Sequence, residues 1–256
     1  MTLFYMGNKL AFLDMEFGHI HGTKKLIYFP IELGIVVYDP KSDEIIETIS
    51  KHFSKDIEVE KWRNNTNEIM MTIQSSLVEV ANLHRKEYDI EYDKNRSVEM
   101  EEIPDLLNLA DSVYNELGVF LRSIKSKHDI QHCFVYGGKL DILCIRRSGY
   151  RANEDNIIDV QEIIKKMLKM YNSLSLDRTC FALNVKLKSD EISSDNFRYE
   201  LPKNKKGKLK DHNAIGDAGR IFLAYKELKR SDKEVKGKIR HYFKLCREYR
   251  EQQENV

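Results

Sequence analysis

KLAFLDMEFG, residues Lys9 to Gly18, opens on a short apolar run, Lys9 to Leu13, that ends at the acidic triplet Asp14-Met15-Glu16. FPIELGIVVY, Phe29 to Tyr38, is a second apolar run, closed by Asp39-Pro40. Both have the length and bounding residues of strands. The turn DPKSD then leads into EIIETISKHF, and its hairpin placement makes it a third strand of an antiparallel meander. Side chains two apart on a strand share a face, so Asp14 and Glu16 project together at the end of the first strand. Two carboxylates this close repel unless a cation lies between them. Hard divalent cations such as Mg²⁺ and Mn²⁺ prefer oxygen ligands, which makes the pair the seed of a metal site.

Beyond the meander, residues 57–100 turn polar, with a helix-like stretch from Asn67 to Tyr88, and read as an insertion or peripheral element. Residues Glu87 to Asp111 hold nine carboxylates against Lys94 and Arg96, the pattern of a solvated surface. Leu106, Leu107, Ala110, Val113, Tyr114, Leu117, Phe120, Leu121 and Ile124 recur at helical spacing, predicting a long amphipathic helix over Ile103 to Lys125 that needs a sheet to cover. HCFVY (132–136) reads as a buried strand broken by Gly137-Gly138 before a helix from about Lys139. NIIDV (156–160) continues the alternation as a strand followed by a helix through Tyr171, and a short helix runs from Leu176 to Leu183. A meander followed by alternating helices and strands predicts an α/β fold, a mixed sheet covered by helices.

Two further acids occupy unusual contexts. Asp141 falls in the first turn of an otherwise apolar helix, just past the Gly-Gly break; a helix-start acid favoured by the macrodipole is the plainer explanation. Asp217, in HNAIGDAGRIFLAY, lies close to an apolar face formed by Ala214, Ala218, Ile221, Phe222 and Tyr225, where an acid without a partner is costly. His212 precedes that helix by a step.

In this order, FLDMEFG, IELGIVV, YGGKLDIL and HNAIGDAGR resemble the DEDDh 3′–5′ exonucleases, the proofreading-subunit type with a ribonuclease H-like fold. That family carries Asp-x-Glu on its first strand, an Asp in a strand-to-helix segment and His-x-Ala-x-x-Asp-Ala at a late helix. Asp14, Glu16, Asp141, His212 and Asp217 fill those positions, and the resemblance spans roughly Lys9 to Leu228, with the strand around Asp159 also alike. It implies a ribonuclease H-like five-stranded mixed sheet within an exonuclease domain over residues 1–228, with a mainly helical insertion. It also implies two Mg²⁺ or Mn²⁺ ions held by Asp14, Glu16, Asp141 and Asp217, His212 as general base toward water, and single-stranded DNA or RNA 3′ ends as substrate. Two other readings stand beside it: a nuclease-like fold used as a non-catalytic binding or regulatory module, and a metal-dependent phosphohydrolase acting on small phosphoesters.

The remaining features each carry two readings. Lys203, Lys205, Lys206, Lys208 and Lys210 precede His212 either as a phosphate-gripping loop or as a solvated one. Of these, Lys206, Lys208 and Lys210, with Phe17, are the candidate substrate contacts; Phe17 is as well suited to the core as to a terminal base. Residues 229–256 form a basic terminal helix, with nine Lys or Arg against four acids between Lys229 and Glu251. Such a helix either packs on its own domain or binds nucleic acid, a membrane surface or a partner. His19 and His21 lack a third ligand at zinc spacing and read as loop residues near the substrate entrance.

Composition bounds these readings. With 42 Lys+Arg against 41 Asp+Glu in 256 residues, the net charge of +1 excludes a histone-like coating of nucleic acid. No apolar stretch reaches the roughly 20 residues of a membrane span. The first residues lack the pattern of a secretory signal, and Cys133, Cys144, Cys180 and Cys246 are scattered as in reduced proteins, so the expected compartment is the cytoplasm.

Overall fold

The structure, a computed structural model, describes residues 9–20, 27–53, 103–150, 156–170, 174–202, 209 and 213–254. It is α/β, built on a five-stranded mixed sheet. Strand β1 (Lys9–Ile20) pairs antiparallel with β2 (Ile27–Asp39), and β2 with β3 (Glu44–His52), giving the expected meander. Helix α1 (Ile103–His128) returns the chain to β4 (Ile130–Val135), which lies parallel to β1 on its other side. Helix α2 (Lys139–Arg147) leads toward β5 (Ile157–Asp159), parallel to β4, so the strand order is β3-β2-β1-β4-β5.

Strand alternation divides the core. Ala11, Leu13 and Met15 of β1, with Leu33, Ile35 and Val37 of β2, lie under α1 and α2, where Val113, Leu117, Cys144 and Ile145 are buried with them. Leu10 and Phe12, with Val36 and Tyr38, point to the other face and pack under α5 (Ala214–Arg230) through Ala218, Ile221, Phe222 and Tyr225. Phe12 stacks on Phe134 with centroids 4.9 Å apart and meets Phe222 edge-on at 5.1 Å. Helix α3 (Val160–Leu168) and helix α4 (Leu176–Leu183) join this second layer. Helix α6 (Asp232–Glu254) also packs there, burying Val235 and Ile239 in the same core.

Helix α5 is fixed along its length. At its start, Gly34 of β2 leaves no room for a side chain, since a Cβ there would stand 2.1 Å from the Ala214 carbonyl carbon. Near its end, Lys226 Nζ lies 2.7 Å from Asp43 Oδ1 and donates to Tyr38 Oη at 3.0 Å, tying the helix to the β2–β3 turn. Fully buried Glu227 accepts from Ser194 Oγ at 2.7 Å and from Asn196 Nδ2 at 2.9 Å.

Those last two residues belong to an element that the sequence patterns leave unread. Strands β6 (Lys186–Leu187), β7 (Glu191–Ser193) and β8 (Arg198–Glu200) form a separate three-stranded antiparallel sheet. A second difference concerns β1, which runs on through His19 to Ile20. Its pairing with β4 ends at Phe12↔Phe134, but its ladder with β2 continues to Ile20↔Ile27, with a bulge between Glu16 and Phe17. The acid pair is therefore inside a strand on the β2 side and free of β4 on the other, and His19 is a strand residue. The helix expected over Asn67 to Tyr88, the insertion at 57–100 and His21 lie outside the described residues. Among the described residues no helix is long and apolar enough to cross a membrane.

Candidate metal centre

The two β1 acids continue the row Leu10, Phe12, Asp14, Glu16 on the α5 face of the sheet. Opposite them on β2 stand Gly34, across from Asp14, and Glu32, across from Glu16. Because Gly34 admits backbone, the first turn of α5 settles onto the sheet at that point. Asn213 caps it, its Oδ1 accepting the Gly216 N–H at 2.7 Å, and the Asp217 N–H closes the first helical bond to the Asn213 carbonyl at 2.9 Å. Asp217 thereby reaches the β1 pair: one oxygen from each of Asp14, Glu16 and Asp217 lies within 4.8 Å of the others.

Asp141 arrives from the opposite edge of the cluster. Gly137 takes a left-handed φ of 62°, and Gly138 packs where a Cβ would stand 2.6 Å from Val135 Cγ2, so the turn after β4 tolerates neither side chain. Asp159 fixes that turn. Its Oδ1 accepts the Gly137 N–H and, as the cap of α3, the Gln161 N–H, each at 2.9 Å. Asp141 is buried, and its Oδ1 has no hydrogen-bond partner among the described residues.

So many enclosed carboxylates cannot all carry charge unaided. Asp14, partly open to solvent but surrounded by protein, is held well above the usual carboxylate range by burial first, then by Asp217, Asp141 and Glu16. Burial, Asp217 and Glu32 push Glu16 up to about 9. Burial, against the pull of nearby backbone N–H groups, raises Asp141 to about 7. Among the described residues Arg220, one turn along α5 and itself buried, is the cation that pulls both values of the pair back down. Its Nε donates to Asp217 Oδ1 at 2.9 Å and Nη2 donates to the same oxygen, while Nη1 donates to Asp177 Oδ1 of α4 at 2.6 Å.

The sequence matches no protein-family model and no curated protein. What the site can do is therefore judged on its donors. Three carboxylates with oxygens within 4.8 Å are able to hold a divalent cation. The donor set is all oxygen, the choice of hard cations, and a second positive charge would relieve the repulsion that Arg220 offsets only in part. The orphaned Asp141 oxygen fits the same requirement.

Of the expected site residues, the structure brings together Asp14, Glu16 and Asp217, with Asp141 close enough to raise the first two. It does not bring Phe17 to them. Past the bulge, Phe17 packs, part-buried, against the core on the α1 side of the sheet. His212, Lys206, Lys208 and Lys210 lie outside the described residues.

Three residues around the cluster escape a reading of the sequence alone. Glu32 is 5% exposed, with Ser50 Oγ donating to its Oε1 at 3.5 Å and His52 Nε2 at 3.7 Å from the same oxygen. The series Glu32, Gly34, Val36, Tyr38 along β2 alternates inward, so an acid breaking an apolar run at an inward position was its signal. Arg220 and Asp177 had none, because their pairing joins segments 43 residues apart.

Proposed function

We propose that the protein is a metal-dependent 3′–5′ exonuclease on a ribonuclease H-like fold, hydrolysing phosphodiester bonds at single-stranded DNA or RNA 3′ ends. The observation that carries this reading is the convergence of Asp14, Glu16 and Asp217 to within 4.8 Å of one another, with buried Asp141 beside them. These four residues, separated along the chain, are the acids that the resemblance to the DEDDh exonucleases singles out.

Asp14, Glu16 and Asp217 would hold one cation, and Asp14 with Asp141 would support a second. When bound, such a pair supplies an activated water and a charge clamp across the attacking and leaving oxygens. Arg220 donates to Asp217 Oδ1 and holds that carboxylate in place beside the β1 pair. In this reading His212, one residue before the Asn213 cap, accepts the proton of the attacking water, a task suited to an imidazole at neutral pH.

The test is hydrolysis itself. Purified protein with Mn²⁺ should release labelled mononucleotides from 3′-labelled oligonucleotides of DNA or RNA, and Asp14→Ala should abolish the release. Absence of mononucleotide release from both polymers would overturn the reading; hydrolysis of nucleotides or small phosphoesters alone would replace it with a phosphohydrolase.

A further inference from the structure

Phe181 of α4 is 74% exposed, the most open large apolar side chain among the described residues. A phenyl ring standing in water forfeits the transfer free energy that burial would bring, so its position invites an occupant. The ring is nevertheless held. Tyr242 of α6 meets it edge-on, with centroids 5.8 Å apart and planes at 63°. Tyr242 is itself anchored, packing on the core and against Phe243 at 5.6 Å. Leu245 and Tyr249, 45% and 64% exposed, continue the same stripe of α6 at steps of three and four residues. On α4, exposed Arg178 stands one turn before Phe181.

The location of this surface gives it meaning. Asp177 is bonded to Arg220 at 2.6 Å, and Arg220 grips Asp217 of the carboxylate cluster. Phe181 is the next residue on the same face of α4, about 6 Å further along the helix axis. An exposed aromatic ring with an exposed arginine one turn away on the same helix is a combination that takes unpaired bases without regard to sequence, the ring stacking and the cation meeting phosphate.

We propose that Phe181, supported by Tyr242 and flanked by Arg178, is a stacking platform for an unpaired base of the substrate strand, lying to the 5′ side of the scissile phosphate. This rests on the exonuclease reading for its orientation, but its binding can be measured without catalysis. The platform explains how a chain of near-zero net charge holds a strand: locally, through one or two bases next to the cations.

The experiment uses the full chain carrying Asp14→Asn, so that the strand is not consumed, and a fluorescein-labelled ten-nucleotide single strand read by fluorescence anisotropy. Phe181→Ala and Tyr242→Ala should each weaken binding by about tenfold, within the range that stacked bases show. Phe181→Trp should restore it, and Phe181→Ala should leave the binding of a blunt duplex unchanged. Single-strand binding unaffected by Phe181→Ala would overturn the proposal, as would a change confined to self-association in sedimentation, which would make the patch a protein interface. If Phe181→Ala weakens binding but the wild-type chain releases no mononucleotides, the platform stands and the exonuclease reading falls.

Discussion

A methyl group on Gly34 would strike the centre without touching any acid in it. In Gly34→Ala the new Cβ would stand 2.1 Å from the Ala214 carbonyl carbon, 2.2 Å from its oxygen and 2.3 Å from the Ile215 nitrogen. Ordinary carbon contacts begin near 3.4 Å, so relief takes about 1.3 Å of movement between β2 and the start of α5. The neighbours are backbone, held by the Asn213 cap, and no flexible side chain can swing aside. Overpacking of this kind costs about 1–3 kcal/mol, and the backbone contact puts Gly34→Ala at about 3. The same shift carries Asp217 away from Asp14 and Glu16, and a misplacement of about 1 Å in a reacting centre is worth on the order of a hundredfold in rate. Urea denaturation and Mn²⁺-dependent release of mononucleotides measure the two effects. Gly237→Ala in α6 is the control: nothing lies within 4 Å of its Cβ, and a gain of about 0.5–1 kcal/mol is expected. Native stability and full activity in Gly34→Ala would refute the reasoning that this glycine lets α5 deliver Asp217.

Stability without metal should fall as pH rises. Glu16 and Asp141 bind protons more tightly in the fold than unfolded, so their contribution is full below their ordinary values of 4.5 and 3.8 and is lost as pH climbs toward about 9 and about 7. Each group tilts the unfolding free energy by up to about 1.4 kcal/mol per pH unit in its window. Melting between pH 5 and pH 7 with chelator should show the decline and Mn²⁺ should remove it; a flat profile would contradict the enclosed cluster. Glu227→Ala removes the buried acceptor of the half-buried Ser194 hydroxyl and the exposed Asn196 amide, and a loss of about 2 kcal/mol in chemical denaturation is expected. Asp159→Ala removes the acceptor of the Gly137 and Gln161 N–H groups, for about 1–2 kcal/mol. Because that turn carries Asp141, the proposed nuclease activity should fall as well.

The acids were legible because each sits where a local rule is broken. Asp14 and Glu16 end an apolar alternation, Asp141 follows two glycines, and Asp217 borders an apolar helix face. The meander, α1 and the two parallel strands likewise follow from apolar runs, turn residues and helical spacing that tertiary packing reinforces. What stayed hidden depends on distant partners. The extension of β1 to Ile20 is imposed by its ladder with β2, since the segment FGHI has no strand alternation of its own. Strands of two or three residues, as in β6 to β8, are too short to show a period, and it is Glu227 of α5 that anchors their turn. Asp159 could be placed at a strand end, but its grip on Gly137 is a contact between residues 22 apart. Arg220 looks from sequence like any helix-face arginine; its burial between Asp217 and Asp177 exists only once α4 and α5 meet.

Calorimetric titration of the metal-free chain with Mn²⁺ at neutral pH tests the metal centre most directly. Two ions per chain are expected in the wild type, with proton uptake by the buffer as the raised carboxyls ionise, and binding should collapse in Asp14→Ala and Asp217→Ala. Mn²⁺ binding that is absent in the wild type, or equally strong in both variants, would contradict the assignment of Asp14, Glu16 and Asp217 as its ligands.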